Sequence, residues 1–268
     1  MRLEYKYLIP VSEFQKIKNK MTPYLVLDKF AEKNKSKDYT VRSLYFDTLK
    51  YQYYFEKVEG IKVRKKIRIR VYDNYVDGSI AFLEVKRKNE NYIYKFRAPL
   101  LYRDLGKFFE TRERKDLIIC NGSNGRTIEN AKIFLFYYIH DNLKPVSLVT
   151  YDREPFFSRF DNGLRITFDK NLRSLCPSDY NNIFEEKKLS RVLNNKVIIE
   201  IKFNHSIPAW FRDIIIQNRL NRMALSKYVI CMDADIENKF AKSHKKIALS
   251  NLDLFNSSIQ NGRLKQNV

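Results

Sequence analysis

The sequence predicts an α+β fold, on three observations. Short runs with the two-residue period of a β-strand recur through the chain, the polar side of those runs is charged in strand after strand, and helical patterns fall between them. The strand-like runs are Arg2–Pro10, Val41–Asp47, Lys62–Tyr72, Ser79–Lys88, Asn91–Leu100, Val146–Phe156, Gly163–Asp169 and Lys196–Phe203. Helical patterns start at Ser12, a predicted cap, fill 102–118 and 126–143, and open again at Pro208, a favoured first-turn residue, to run through "PAWFRDIIIQNRLNRMALSKYVICMDA". A turn is predicted over Asn121–Gly125. No linker divides the chain, so 1–240 reads as one domain and 241–268 as a polar, basic tail.

Taken in order, the strands sort their charges by face. Glu4 and Lys6 share a face of the first. In Lys62–Tyr72, Lys62, Arg64, Lys66, Arg68 and Arg70 alternate with an odd face that carries Ile67, Ile69 and Val71. Same-face neighbours lie about 7 Å apart, so each such pair repels by roughly 0.6 kcal/mol in water and more in a partly dry site. Glu84, Lys86 and Lys88 alternate with Leu83 and Val85, and Lys95 and Arg97 with Tyr94 and Phe96. Tyr151 and Arg153 follow the same scheme. Arg165, Thr167 and Asp169 oppose Leu164, Ile166 and Phe168, and Glu200 and Lys202 oppose Ile199, Ile201 and Phe203.

A flat antiparallel sheet with charges in water and a closed barrel with a charged lumen both satisfy this pattern. A solvent face is usually varied, whereas this one is nearly restricted to Arg, Lys and Glu, which favours the lumen. An interior so charged implies anions as normal occupants. Glu-x-Lys on three strands (Glu4, Glu84, Glu200) fits two readings equally: carboxylates that dilute the repulsion, or ligands for Mg²⁺ or Mn²⁺ beside phosphate.

Composition agrees with a polyanionic partner. The 268 residues are 44% hydrophobic, and Lys+Arg 51 against Asp+Glu 31 leaves a formal charge of +20. Three separated cysteines indicate neither a disulfide framework nor a zinc site and point to a cytoplasmic setting. The longest apolar run, Ile133–Ile139, is too short to span a bilayer, so any membrane association would run through a partner. Seven glycines include no GxxxxGK[ST] loop. Tyr94, Phe96, Phe168 and Phe203 fall opposite the basic faces, on predicted helix-packed sides, so stacking on nucleic-acid bases is not expected.

"LEYKYLI", "SLYFDT", "KIRIRVY", "FLEVKRK", "TYDREPF", "LRITFD", "VIIEIKF" and "LSKYV", in this order, resemble the VTC domain, the polymerase domain of vacuolar transporter chaperone proteins and their bacterial relatives, within the CYTH-like triphosphate tunnel metalloenzymes. The resemblance implies an eight-stranded antiparallel β-barrel, its lumen charged and its outside covered by helices. It implies an enzyme that passes the γ-phosphoryl group of ATP to phosphate, pyrophosphate or polyphosphate with Mn²⁺ or Mg²⁺. Matched residue by residue, Lys6 is the first-strand phosphate ligand, Arg68 and Arg70 the RxR pair, and Lys86 the ExK lysine. Lys95 follows on the next strand, Arg153 closes the YxR motif, and Arg165 precedes the Thr–x–Asp run. Glu200 is the metal-binding glutamate, Glu4 and Glu84 are further candidates, Lys202 is its partner and Lys227 the helical lysine. Lys66 joins the phosphate-binding set. One Glu-x-Lys stands on the first strand where hydrolytic and cyclase relatives carry two glutamates, which favours transfer over hydrolysis or cyclisation; a triphosphatase on the same fold and a non-catalytic polyanion-binding module are the alternative readings. The phosphate-sensing and transmembrane regions of the eukaryotic enzymes are not expected here.

Overall fold

The computed structural model describes residues 2–90, 92–111, 115–120 and 124–238. The predicted tail, 241–268, and the first residues of the predicted turn, 121–123, lie outside the described residues. The chain divides after Cys231. In the second unit residues 232–238 are helical.

β1 (Arg2–Pro10) runs straight into α1 (Val11–Met21). Ser12 is therefore inside the helix and caps nothing. Pro10 holds the cap position, and the Val11 N–H finds its acceptor at the Asn195 carbonyl, 3.0 Å away. Two short elements missed by the sequence pattern follow, β2 (Leu25–Leu27) and α2 (Lys29–Glu32). β3 (Tyr39–Asp47), α3 (Gln52–Val58), β4 (Arg64–Tyr72), β5 (Ile80–Asn89) and β6 (Tyr92–Leu101) come next. α4 (Leu105–Thr111) and α5 (Asn124–His140) form the central helical insertion, and Asn124 and Gly125 open the helix instead of ending a turn. β7 (Lys144–Ser158), β8 (Arg165–Leu175), the two-residue β9 (Ser190–Arg191), β10 (Lys196–Asn204) and α6 (Ala209–Gln217) complete the set.

The eight long strands form one antiparallel sheet in the order β1-β10-β8-β7-β3-β4-β5-β6. Its apolar faces carry two cores. Ile67, Ile69, Val71, Leu83 and Val85 pack with Phe108 of α4 and Phe134 of α5, while Tyr7, Ile166, Ile199 and Ile201 pack with Ile17 and Met21 of α1 and Phe211 of α6. Helices thus cover the outside and the charged faces turn inward, as the alternation requires.

The sheet wraps without closing, because among the described residues no ladder joins β1 to β6. A strap occupies the free edge of β1 instead. The helix expected to run on from Pro208 stops at Gln217, since Arg219 adopts a left-handed backbone (φ 48°). The strand-like strap that follows bridges Tyr7 through Arg222 and donates the Met223 N–H to the Lys6 carbonyl at 2.9 Å. Helix resumes at residue 227. Tyr94, expected under a helix, is 49% exposed, because the first half of β6 projects beyond the helical cover.

Candidate active site

Because side chains alternate across a strand, cross-strand register decides which charges meet. Lys6 faces Glu200, Glu200 faces Thr167, Arg153 faces Asp169, Arg68 faces Glu84, and Glu84 faces Arg97. The result is a cavity of ≈ 450 Å³ to which all eight long strands contribute. Every site residue expected from the sequence lines it: Lys6, Lys66, Arg68, Arg70, Lys86, Lys95, Arg153, Arg165, Lys202 and Lys227 among the cations, and Glu4, Glu84 and Glu200 among the carboxylates.

A second chamber of ≈ 470 Å³ shares Glu4, Lys6, Lys66 and Lys86 with the first and adds Lys57, Arg64, Lys88 and Arg222. Along β4 the inward side chains give the axial order: Arg64 borders the second chamber only, Lys66 both, and Arg68, Arg70 and Tyr72 the first only. Lys62 precedes the strand.

The cations are unequally matched. Arg153 grips Asp169 through two bonds, Nε–Oδ1 at 2.6 Å and Nη2–Oδ2 at 2.8 Å, and reaches Glu200 at 3.3 Å. Lys227 adds a 2.5 Å pair to Asp169, and Lys202 a 2.8 Å pair to Glu200. On the opposite wall Glu84 holds Arg68 at 2.7 Å and Arg97 at 3.3 Å, but Arg70 only at 3.9 Å; the Nε of Arg70 donates to the Ser43 hydroxyl at 3.0 Å. Lys66, Lys86 and Lys95 make no ion pair among the described residues, and the Nζ of Lys66 is held by the Ser226 hydroxyl at 2.9 Å. One side of the cavity is a neutralised network and the other carries surplus charge.

The VTC domain model matches residues 1–234. The chain belongs to the VTC domain family.

The VTC domain aligns with solved structures at low identity. A Hippeastrum protein named as a candidate adenylyl cyclase, with a dominant triphosphatase activity, is 13% identical and aligns with a TM-score of 0.50 over 87% of this chain and 96% of its own. Candidate adenylate cyclases from Bacillus halodurans (12% identity, TM-score 0.43, 84% of this chain and 94% of that one) and Vibrio parahaemolyticus (11%, 0.41, 85% and 96%) also align. No curated protein sequence matches the chain. Among the described residues no helix is long and apolar enough to cross a membrane.

Ionisation in the VTC domain follows the matching. Burial alone would raise the pKa of Glu84, but Arg68 and then Arg70 bring it down to about 2. Burial opposes ionisation of Glu200 as well, and Lys6, Lys202, Lys227 and Arg153 together hold it well below the usual carboxylate range. For Lys66 burial and the neighbouring charges of Lys6 and Lys86 act in the same direction and push its pKa well down. Lys86 is lowered too, chiefly by burial. An anion entering the cavity favours the charged form and raises the pKa of Lys66 again, so affinity falls as pH rises across the interval between its free and bound values. Calorimetry of tripolyphosphate binding over a pH series, in two buffers of different ionisation enthalpy, should show net proton uptake within that interval, reduced in Lys66→Met. Binding with no proton uptake at any pH would contradict the assigned environment of Lys66.

The donor set fits a divalent cation of the phosphate-bridging kind. Among the described residues no three His, Cys, Asp or Glu side chains form a ready-made metal cluster. Mg²⁺ and Mn²⁺ beside phosphates need only one or two carboxylates from the protein. Glu200 is ionised, and the buried Thr167 hydroxyl opposite it has no partner among the described residues. Unspent polar capacity therefore sits beside the carboxylate the motif singled out.

Sequence reasoning missed part of the site. Asp169, the anchor of Arg153 and Lys227, shows only the parity it shares with Arg165. Asp47 gave no signal: its buried carboxylate accepts the N–H groups of Thr48, Tyr53 and Tyr54 and the Tyr228 hydroxyl, fixing the start of α3 and the residue beside Lys227. Tyr39, Tyr45 and Tyr72 also line the cavity.

Proposed function

We propose that this VTC domain is an ATP-dependent polyphosphate polymerase. The observation that carries the reading is the second cationic chamber, which continues the first through shared lysines and lengthens the basic wall by Lys57, Arg64, Lys88 and Arg222. Phosphoryl transfer asks the protein mainly for charge stabilisation and alignment. Arg70, Arg153 and Arg165 would clamp the β- and γ-phosphates through their planar forks, with Arg68 locked beside them by Glu84. Lys66, Lys86, Lys95 and Lys6 would hold the acceptor's terminal phosphate in line.

An oxygen of that terminal phosphate attacks the γ-phosphorus, the bond from the γ-phosphorus to the bridging oxygen breaks, and ADP leaves with the electron pair. The attacking oxygen is already anionic, so no general base is required. In keeping with this, neither described histidine lines the chambers: His140 pairs with Asp141 at 2.6 Å and is exposed, and His205 lies in the turn after β10. Glu200, with Glu4 as its neighbour across Lys202, would hold Mn²⁺ or Mg²⁺, whose charge offsets that of the phosphate oxygens.

Purified protein incubated with ATP and Mn²⁺ should give a ladder on a polyphosphate-stained gel, and Glu200→Ala should give none. A triphosphatase is the competing reading, favoured by the activity of the Hippeastrum neighbour. Consumption of ATP with release of phosphate and no polymer would replace the polymerase reading with it.

A further inference from the structure

The Arg64 end of the second chamber is framed by apolar side chains that face water. Val58 ends α3, and Gly60, with a left-handed backbone (φ 74°), turns the chain so that the Ile61 N–H bonds back to the Glu56 carbonyl at 3.0 Å. Ile61 and Val63 follow in the loop before β4. The Lys62 carbonyl accepts the Glu90 N–H at 3.2 Å, which seats this loop against the turn between β5 and β6. From that turn β6 starts with Tyr92 and Ile93, and Ile93 borders the chamber together with Met223 of the strap. Val58, Ile61, Val63, Tyr92, Ile93 and Met223 are between 42% and 70% exposed.

Cations are interleaved with them. Lys57, Arg64, Lys88 and Arg222 line the chamber, and Lys62 is exposed on the loop; the carboxylates of the same segments, Glu56, Glu59 and Glu90, are fewer. Single exposed apolar residues are ordinary on a protein surface, but a cluster drawn from several segments around one opening forms a patch. Its occupant must satisfy both halves. A second copy would press the same cations together on a chain of formal charge +20. An acidic peptide would match the cations alone, because the apolar side chains ring an opening instead of lining a groove. An anionic bilayer matches both: headgroups meet the cations, apolar side chains enter the boundary with the acyl chains, and tyrosine sits at headgroup depth.

We propose that this rim is a membrane-docking surface whose partner is an anionic lipid bilayer. The inference does not depend on which reaction the cavity carries out. It needs no spanning helix, since Val58, Ile61 and Tyr92 enter only the headgroup boundary. It supplies direct contact with lipid where the sequence alone suggests contact only through a partner. A patch of this kind draws on its charges as well as its apolar side chains, so docking is reversible and weakens as salt rises.

Co-sedimentation with vesicles tests the assignment. The wild type should pellet with vesicles of equal parts phosphatidylcholine and phosphatidylglycerol, and stay in solution with phosphatidylcholine alone. Val58→Asp combined with Ile61→Asp should weaken binding to the mixed vesicles roughly tenfold, the loss expected when apolar side chains no longer enter the bilayer. Val58→Leu combined with Ile61→Leu, which keeps the apolar surface, should match the wild type. Tyr92→Asp, on a separate segment, should also weaken binding and supplies the test should the double variant fold poorly. Binding to mixed vesicles that none of the Asp substitutions weakens would put the lipid contact elsewhere and overturn the docking surface, as would failure of the wild type to pellet with them. A dimer found by sedimentation without lipid, and abolished by the same substitutions, would give the face to a second copy and overturn it as well.

Discussion

Arg70→Ala should lower the rate of phosphoryl transfer by about 10²–10³-fold, the usual loss when one preorganised charge donor is removed from a developing anion. Its effect on folding should be small, roughly 1–2 kcal/mol, because what is lost inside the protein is one hydrogen bond to Ser43 and a long contact to Glu84. Steady-state assay and urea denaturation of the same variant measure the two effects. The separation is the point: Arg70 is buried, yet its charge is poorly matched by the protein. A rate close to wild type would mean that the phosphates lie elsewhere.

Arg153→Ala should do the reverse of sparing stability. It strips Asp169 of a two-pronged partner and Glu200 of another, leaving two buried carboxylates to share Lys227 and Lys202. Breaking a buried pair from one side costs about 3–5 kcal/mol, which urea denaturation at neutral pH would show. The pH dependence supplies a check. Asp169 and Glu200 are held below the ordinary carboxylate range in the folded protein, Asp169 chiefly because Arg153 and Lys227 overcome the effect of burial. Their contribution to stability is therefore present above the unfolded pKa and lost as pH falls through the folded one. The gap between wild type and variant should narrow as the solution is acidified. A gap independent of pH would show that the loss arises from packing alone.

How much of this was legible depended on whether parity or register was needed. Parity is a property of one strand, and it placed Arg68, Arg70, Lys86, Arg153 and Glu200 on inward faces without reference to any partner. Register belongs to two strands. That Arg153 meets Asp169 follows from the pairing of β7 with β8, which shifts between Thr150 and Asp152 in a way no local pattern announces. The strap was hidden for another reason: "NRLNRMAL" is rich in good helix formers, and only the left-handed Arg219 turns the chain out of the helix. Tyr72 shares the parity of Arg70 and could have been placed in the lumen.

The strap has a consequence for how a polymer would pass. Lys6 and Lys66 are the stitches of the seam: the Nζ of Lys6 donates to the Leu225 carbonyl at 3.1 Å, and the Nζ of Lys66 to Ser226. Both ammonium groups also line the two chambers. A phosphate oxygen is a stronger acceptor than a carbonyl or a hydroxyl, so an arriving chain competes for the donors that tie the strap down. The strap's backbone bond from Met223 to Lys6 is out of an anion's reach. The side-chain half of the seam is not, so a passing chain would loosen the strap's lysine ties while its backbone anchor to β1 stays in place.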